Sequence, residues 1–189
     1  MTITRTTETL TTQTPVLPDR TSVKRTPSTA RHRRRIIKVL AKKSFCTLAT
    51  SSPAGNPHVA GVIYEYVDQT LWIHTMTTSR KARSIAANAR AAVTVPFRKM
   101  PGGPPFTIHF QANAELVPMD SPLATDLLRT GQLKAISGHG ALDTPDGVFI
   151  RLGPTGLIHS YGPGASTLDL IRDPLHNGFG SFHIDELAL

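Results

Sequence analysis

The hydrophobic period of this 189-residue chain changes abruptly within residues 71–97, LWIHTMTTSRKARSIAANARAAVTVPF, and that change constrains the fold more than any other feature. Trp72, His74 and Met76 alternate with Leu71, Ile73 and Thr75, which is strand periodicity. After Thr77 and Thr78 the spacing becomes helical, with Ala82, Ile85, Ala86 and Ala89 recurring at three and four residues and Ser79 placed to cap the first turn. Residues 91–96 then return to a strand pattern. Arg80 and Lys81 fall in the first turn of the helix, where the positive end of the helix dipole disfavours cations by a few tenths of a kcal/mol each. An anion held there by free N–H groups and both side chains reverses that penalty, and a phosphate suits the arrangement. On spacing alone, Arg80, Lys81 and Arg83 read equally well as a solvated helix face.

Charge is unevenly distributed. The formal net charge is +8, but residues 1–43 carry eleven Lys or Arg against Glu8 and Asp19, and the rest of the chain carries ten basic and eleven acidic side chains. The body is nearly neutral, so the basic balance says little about what the body binds. Residues 1–29 are Thr-rich, with Pro15, Pro18 and Pro27 and few large apolar side chains, and are expected to form a disordered tail. Residues 30–44 place Ile36, Ile37, Val39 and Leu40 on one side and Arg33, Arg34, Lys38, Lys42 and Lys43 largely on the other, an amphipathic helix that either covers the sheet or binds a polyanion. No apolar run is long enough to span a membrane and residues 1–30 have no apolar signal-peptide core, so the expected location is the cytoplasm.

From Phe45 onward the chain is β-rich. Strands are expected at 45–51, 58–67 and from Leu71, joined by a Pro-Ala-Gly-Asn-Pro turn with positive φ available at Gly55 and Asn56, and by a tight turn at Asp68-Gln69. Turns this short make the three strands an antiparallel meander. Residues 98–105 read as a loop, 107–117 as a long strand, 122–133 as a helix capped by Ser121, and 137–146 as a Gly-rich loop. Two strand pieces follow at 148–152 and 157–161. Residues 162–189 read as a mostly irregular extension, with one helical turn at 166–171. The fold class expected is mainly β (α+β), a six-stranded antiparallel barrel with short flanking helices over residues 30–161.

Local signatures for several chemistries are missing. No Gly-rich dinucleotide fingerprint follows a strand and no Walker-type loop is present. Cys46 is the one cysteine, which excludes a disulfide framework and a Cys-based zinc site; its neighbours Phe45 and Leu48 suggest a buried strand thiol. No His pair has the helical spacing of a zinc site, while His58, His74, His109 and His159 fall in strands from which they could project into a shared cavity. No metal site is assigned.

The segment HTMTTSRKARSIAANARAAV resembles the cofactor-phosphate segment of the pyridoxamine 5'-phosphate oxidase-like, flavin-binding split β-barrel superfamily. In that family a strand ends in Thr-Asn, Ser-Arg-Lys opens a helix, and an Asn-Pro-Arg-Ala type turn leads onward. Here the matching residues are Thr75-Met76, Ser79-Arg80-Lys81 and Asn88-Ala89-Arg90-Ala91. LATSSPAGNPHVAGVIY is similar to the family's first hairpin and HFQANAEL to its long fifth strand.

The resemblance implies a split β-barrel homodimer with FMN at its interface, transferring hydride to or from a small organic substrate. The phosphate would lie on Ser79, Arg80 and Lys81, with Thr75 and the backbone of Ala60, Gly61 and Val62 facing the ring; His74, Met76 and Thr107 complete the implied set. Trp72, Phe106, Phe110, Phe149 and Tyr161 on the strands suggest apolar surface for the dimer to hide. Three positions depart from the family's oxidase, which has Arg at Ala60, Asn at Met76 and Gln at Thr107, and its C-terminal substrate motif has no counterpart. The departures argue against a pyridoxamine phosphate oxidase in the strict sense. Alternatives are the deazaflavin coenzyme F-420 in place of FMN, a non-enzymatic flavin or haem binding protein, and nucleic-acid binding through the basic N-terminus.

Overall fold

The computed structural model describes residues 26–27, 30–98, 103, 105–138, 140–163, 172 and 178–185. In chain order these form β1 (Thr26–Pro27), α1 (Ala30–Lys42), β2 (Phe45–Ser51), β3 (Pro57–Ile63), β4 (Glu65–Val67), β5 (Thr70–Met76), α2 (Arg80–Ala87), β6 (Arg90–Phe97), β7 (Phe106–Pro118), α3 (Pro122–Arg129), α4 (Lys134–Ser137), β8 (Gly147–Tyr161) and β9 (Phe179–His183). Most of the expected tail, the turn expected at 166–171 and most of the loop expected at 98–105 lie outside the described residues.

Tyr64 interrupts what the sequence presents as one strand over 58–67. Its side chain is fully buried, its hydroxyl donates to the Leu40 carbonyl at 2.9 Å, and its N–H donates to the Ser44 carbonyl at 2.8 Å. A residue held on both counts cannot also continue the ladder, so β3 pairs with β2 while β4 leaves to pair with β5. The expected simple meander is therefore broken at this corner. The turn from β4 to β5 is the expected one: Asp68 and Gln69 adopt φ of 45° and 63°, the double positive φ of a tight hairpin whose twist matches its strands. In the β2–β3 turn Gly55 supplies positive φ and Asn56 does not.

Successive antiparallel pairings β2–β3, β4–β5, β5–β8, β8–β7, β7–β6 and β6–β2 close a ring, with Tyr64 bridging β3 and β4. Counting β3 and β4 as one bent strand gives the six expected, within a nine-stranded sheet. The extra strands come from the chain ends. The segment expected to be mostly irregular after 161 contributes β9, which pairs with residues 157–161 of β8, and Thr26 and Pro27, within the expected tail, pair in parallel with β9. Both are short, and β9 contains Gly180, which hides the strand period. The two strand pieces expected at 148–152 and 157–161 are one 15-residue strand, β8. Its first half pairs with β5, its last five residues with β9, and both halves with β7.

The helix expected over 122–133 stops at Arg129, because the Thr130 hydroxyl donates to the Asp126 carbonyl at 2.8 Å and Gly131 adopts φ of 73°. Residues 130–133 are turn, and a separate short helix, α4, follows at Lys134–Ser137. With α3 it covers a second apolar cluster on the outside of the barrel, built on Trp72, Leu127, Leu133 and Phe149. The main core is the barrel interior. Ile36 and Leu40 of α1 fill it from one end and Ile85 of α2 joins the same cluster. α1 is also tied to the sheet by His32, whose Nε2 lies 3.0 Å from Ser160 Oγ, while its Arg31, Arg34, Arg35 and Lys38 are exposed.

Of the aromatics expected to present apolar surface, Trp72, Phe106, Phe110 and Phe149 are buried within the chain and Tyr161 is half-buried. Phe45, Val59, Ile63, Leu157 and Phe179 are the exposed apolar side chains of the open outer sheet face. Truncating α1's contribution should be costly: Leu40→Ala is expected to lower unfolding free energy by about 2–5 kcal/mol in denaturant titrations. A change within about 0.5 kcal/mol would show that α1 lies on the surface rather than in the core.

Candidate cofactor-phosphate site

The change of period at residues 75–79 becomes a short, internally braced turn. β5 ends with Thr75 facing the barrel interior and Met76 facing out, and the Thr75 hydroxyl donates to Ser79 Oγ at 3.1 Å. Ser79 sits in extended conformation as the N-cap of α2: its Oγ accepts from the Ala82 N–H at 3.3 Å and its carbonyl from the Arg83 N–H at 3.0 Å. The N–H groups of Arg80 and Lys81, ahead of those, have no acceptor in the intrahelical ladder. Across the turn, the Thr77 N–H donates to the Asp146 carbonyl at 2.8 Å and the Thr78 hydroxyl to the Asp146 carboxylate at 3.0 Å.

The helix is held at its other end by Asn88. The Asn88 N–H closes on the Ser84 carbonyl at 2.8 Å, its Nδ2 donates to Ser51 Oγ at 3.1 Å, and its Oδ1 accepts from the Arg90 N–H at 3.2 Å. With Ala82 and Ile85 buried, α2 is fixed between the ends of β5 and β2. Its first turn holds no acidic residue, and among the described residues neither Arg80 nor Lys81 pairs with a carboxylate. Two cations, free N–H groups and the positive end of the helix dipole therefore share one place. An anion there meets favourable terms from all three.

The remaining expected site residues are only partly brought to this place. Ala60 packs against the barrel core and Val62 is buried in it, whereas Gly61 faces out beneath Phe45, where a Cβ would come within 2.9 Å of the ring. His74 and Met76 leave the opposite face of β5 from Thr75. The His74 ring packs edge-on against Phe149 with centroids 5.7 Å apart, and a Cβ at Gly147 would meet His74 Nε2 at 3.0 Å. Thr107 is ten residues from Val117 along β7, about 33 Å at a strand's rise, and Val117 is the residue that pairs beside the His74 partner Phe149. Within one chain Thr107 is remote from the cradle.

The four strand histidines share no cavity. His58 stands opposite Thr50 at the end of the β2–β3 hairpin, and the buried atoms His58 Nδ1 and Thr50 Oγ1 have no partner among the described residues. His109 and His159 alone meet, on the outer face. Burial pushes the Cys46 thiol up to about 12, so it carries no thiolate chemistry at neutral pH. Asn88 and Asp146, which hold the cradle in place, went unsingled as site residues; the Asn of the Asn88-Ala89-Arg90-Ala91 turn was the available signal for the first.

A family model described as pyridoxamine 5'-phosphate oxidase matches residues 33–156, more than half of the chain. The chain belongs to the pyridoxamine 5'-phosphate oxidase family. No curated protein matches the sequence. Solved structures share the family's fold: HutZ, a heme storage protein from Vibrio cholerae (20% identity, 64% of this chain and 88% of that one, TM-score 0.55), and a FAD-binding protein from Mesorhizobium loti (24%, 65% and 87%, 0.54). A heme binding protein from Mycobacterium smegmatis matches at 14% identity with TM-score 0.62, over 80% of this chain; this chain spans 57% of its length. At these identities the likeness is one of fold, and the fold carries both flavin and heme binders. Among the described residues no helix is long and apolar enough to cross a membrane.

Burial lowers the pKa of both His74 and His32. A histidine with a lowered folded-state pKa binds fewer protons in the native than in the unfolded chain, so its contribution is intact above its ordinary value near 6.5 and is lost as pH falls through the folded value. The melting temperature should therefore drop between pH 7.5 and pH 5, and His74→Gln should flatten that slope. A slope unchanged by the substitution would show that His74 stays protonated to the same degree when folded.

Proposed function

We propose that this protein is a flavin-dependent oxidoreductase that anchors the phosphate of FMN on α2. The observation that carries the reading is the capped start of α2, where Arg80 and Lys81 stand without acidic partners beside first-turn N–H groups. A heme would offer this cradle only singly charged propionates, whereas a flavin phosphate brings up to two charges and three acceptor oxygens to it, so the cradle favours a flavin over heme. The deazaflavin coenzyme F-420 also carries phosphate and remains the alternative cofactor.

The bound flavin would supply the hydride chemistry. The chain's own part is to hold the phosphate through Ser79, Arg80 and Lys81, to brace Ser79 through Thr75, and to offer the β3 backbone at Ala60, Gly61 and Val62 as an edge for the ring. Ala60 and Met76 bring no charged group to that ring, and a small organic substrate fits such a site.

The reading includes a homodimer. The outer face exposes Phe45, Val59 and Ile63 on the β2–β3 hairpin and Leu157 and Phe179 on β8 and β9, apolar surface that a second copy would cover, and a second copy is also the way Thr107 could reach a cofactor site. Ile63→Glu is expected to give a monomer by light scattering at micromolar concentration, where the native chain gives a dimer.

The phosphate claim is tested by titration. Each charge-assisted contact is worth about 1.5–3 kcal/mol, so Arg80→Ala or Lys81→Ala should weaken FMN by roughly ten- to a hundredfold and leave the melting temperature of the cofactor-free chain almost unchanged. Equal FMN affinity in the native chain and the double variant would remove the reading, as would a colourless preparation that takes up neither flavin.

A further inference from the structure

On the outer sheet face His109 and His159 stand directly opposite each other on β7 and β8. Their rings stack with centroids 5.3 Å apart and planes 21° from parallel. They line a cavity of about 660 Å³ with Thr94, Gln111, Thr155 and Leu157. The cavity owes its shape to an irregularity in the ladder: between this pair and the next, β7 advances from His109 to Gln111 while β8 runs from His159 to Thr155. The longer path in β8 includes Gly156 at φ 63°, a backbone state that favours glycine. Bulges of this kind re-aim side chains and recur beside functional sites.

We propose that His109 and His159 form a binding site for a divalent transition-metal ion that prefers imidazole nitrogen, such as Zn²⁺, Ni²⁺ or Cu²⁺. Directly opposed residues on antiparallel strands have Cβ atoms about 4.5–5.5 Å apart, and both imidazoles leave the sheet on the same side. A tetrahedral ion at about 2.0–2.1 Å from each nitrogen needs those nitrogens about 3.4 Å apart. Rotation about the broad terminal torsion of each histidine closes that gap without moving the backbone. A neutral imidazole presents one ring nitrogen as a lone-pair donor to a metal while the other carries the proton.

The lining holds no Lys or Arg to repel a cation and no carboxylate to attract Mg²⁺ or Ca²⁺, which selects for borderline metals over hard ones. Among the described residues no group of three or more His, Cys, Asp or Glu gathers as a metal cluster, so two positions of a tetrahedral ion would be left to water or to an exogenous anion. Gln111, Thr94 and Thr155 supply polar groups to hold those waters. The site is separate from the α2 cradle and does not depend on a flavin being bound.

The test is calorimetric titration of the untagged full chain with ZnCl₂, with NiCl₂ in parallel, in a buffer that does not chelate. The expected result is one ion per chain, with affinity lowered at least tenfold in His109→Asn and in His159→Asn and unchanged in His58→Asn. MgCl₂ should give no heat. Melting curves without metal confirm that each variant is folded, and because each histidine is tested alone, one variant that fails to fold leaves the other decisive. Absence of binding at 100-fold molar excess of Zn²⁺ overturns the proposal, as does binding that survives both substitutions. Hemin is titrated as a third arm. A Soret shift lost in both variants, with no Zn²⁺ or Ni²⁺ heat, would assign the pair to porphyrin iron and overturn the free-ion reading.

Discussion

The fold depends on one buried corner. At Tyr64 the chain stops pairing with β2 and begins pairing, through β4, with β5, and this is the step that turns a flat meander into a ring. The hydrogen bond from its hydroxyl to the Leu40 carbonyl ties that corner to α1. α1 in turn puts Ile36 and Leu40 into the barrel interior, so the corner and the end-plug stabilise each other. Without the bend β5 would lie beside β3, and Thr75 and α2 would not close the other side of the ring.

That corner explains which parts of the fold were legible. The strand and helix patterns around residues 71–97 were readable because a period of two changes to one near 3.6 across a capping serine, and each signal is local. The break in 58–67 was not, because Tyr64 is as good a strand residue as its neighbours and its role comes from a carbonyl 24 residues away. β9 and β1 were missed for a related reason: strands of five and two residues with Gly180 and Pro27 are stabilised by the free edge they meet rather than by their own pattern. The apolar outer face was misassigned to aromatics that fill the two cores, since bulk predicts burial better than it predicts exposure.

At the site, the sequence carried the chemistry that is local and lost what is not. Thr75, Ser79, Arg80 and Lys81 lie within seven residues of one another, so the Ser79 cap and the two cations beside it could be read directly from the sequence. The stacking of His109 on His159 and the remoteness of Thr107 depend on the register of β7 against β8 across an irregularity. The same register gives the outer face a groove lined by the two histidines with Thr94, Gln111, Thr155 and Leu157. The two places proposed in this chain, one for an anion and one for a metal ion, are thus chemically distinct.

The account rests on the phosphate being what α2 recognises. The most direct measurement compares the affinities of FMN and riboflavin, which share the ring and differ in the phosphate, by quenching of flavin fluorescence. Recognition through Ser79, Arg80 and Lys81 predicts that FMN binds at least tenfold tighter than riboflavin and that the difference shrinks as salt rises. Equal affinity for the two, at any salt concentration, would contradict it.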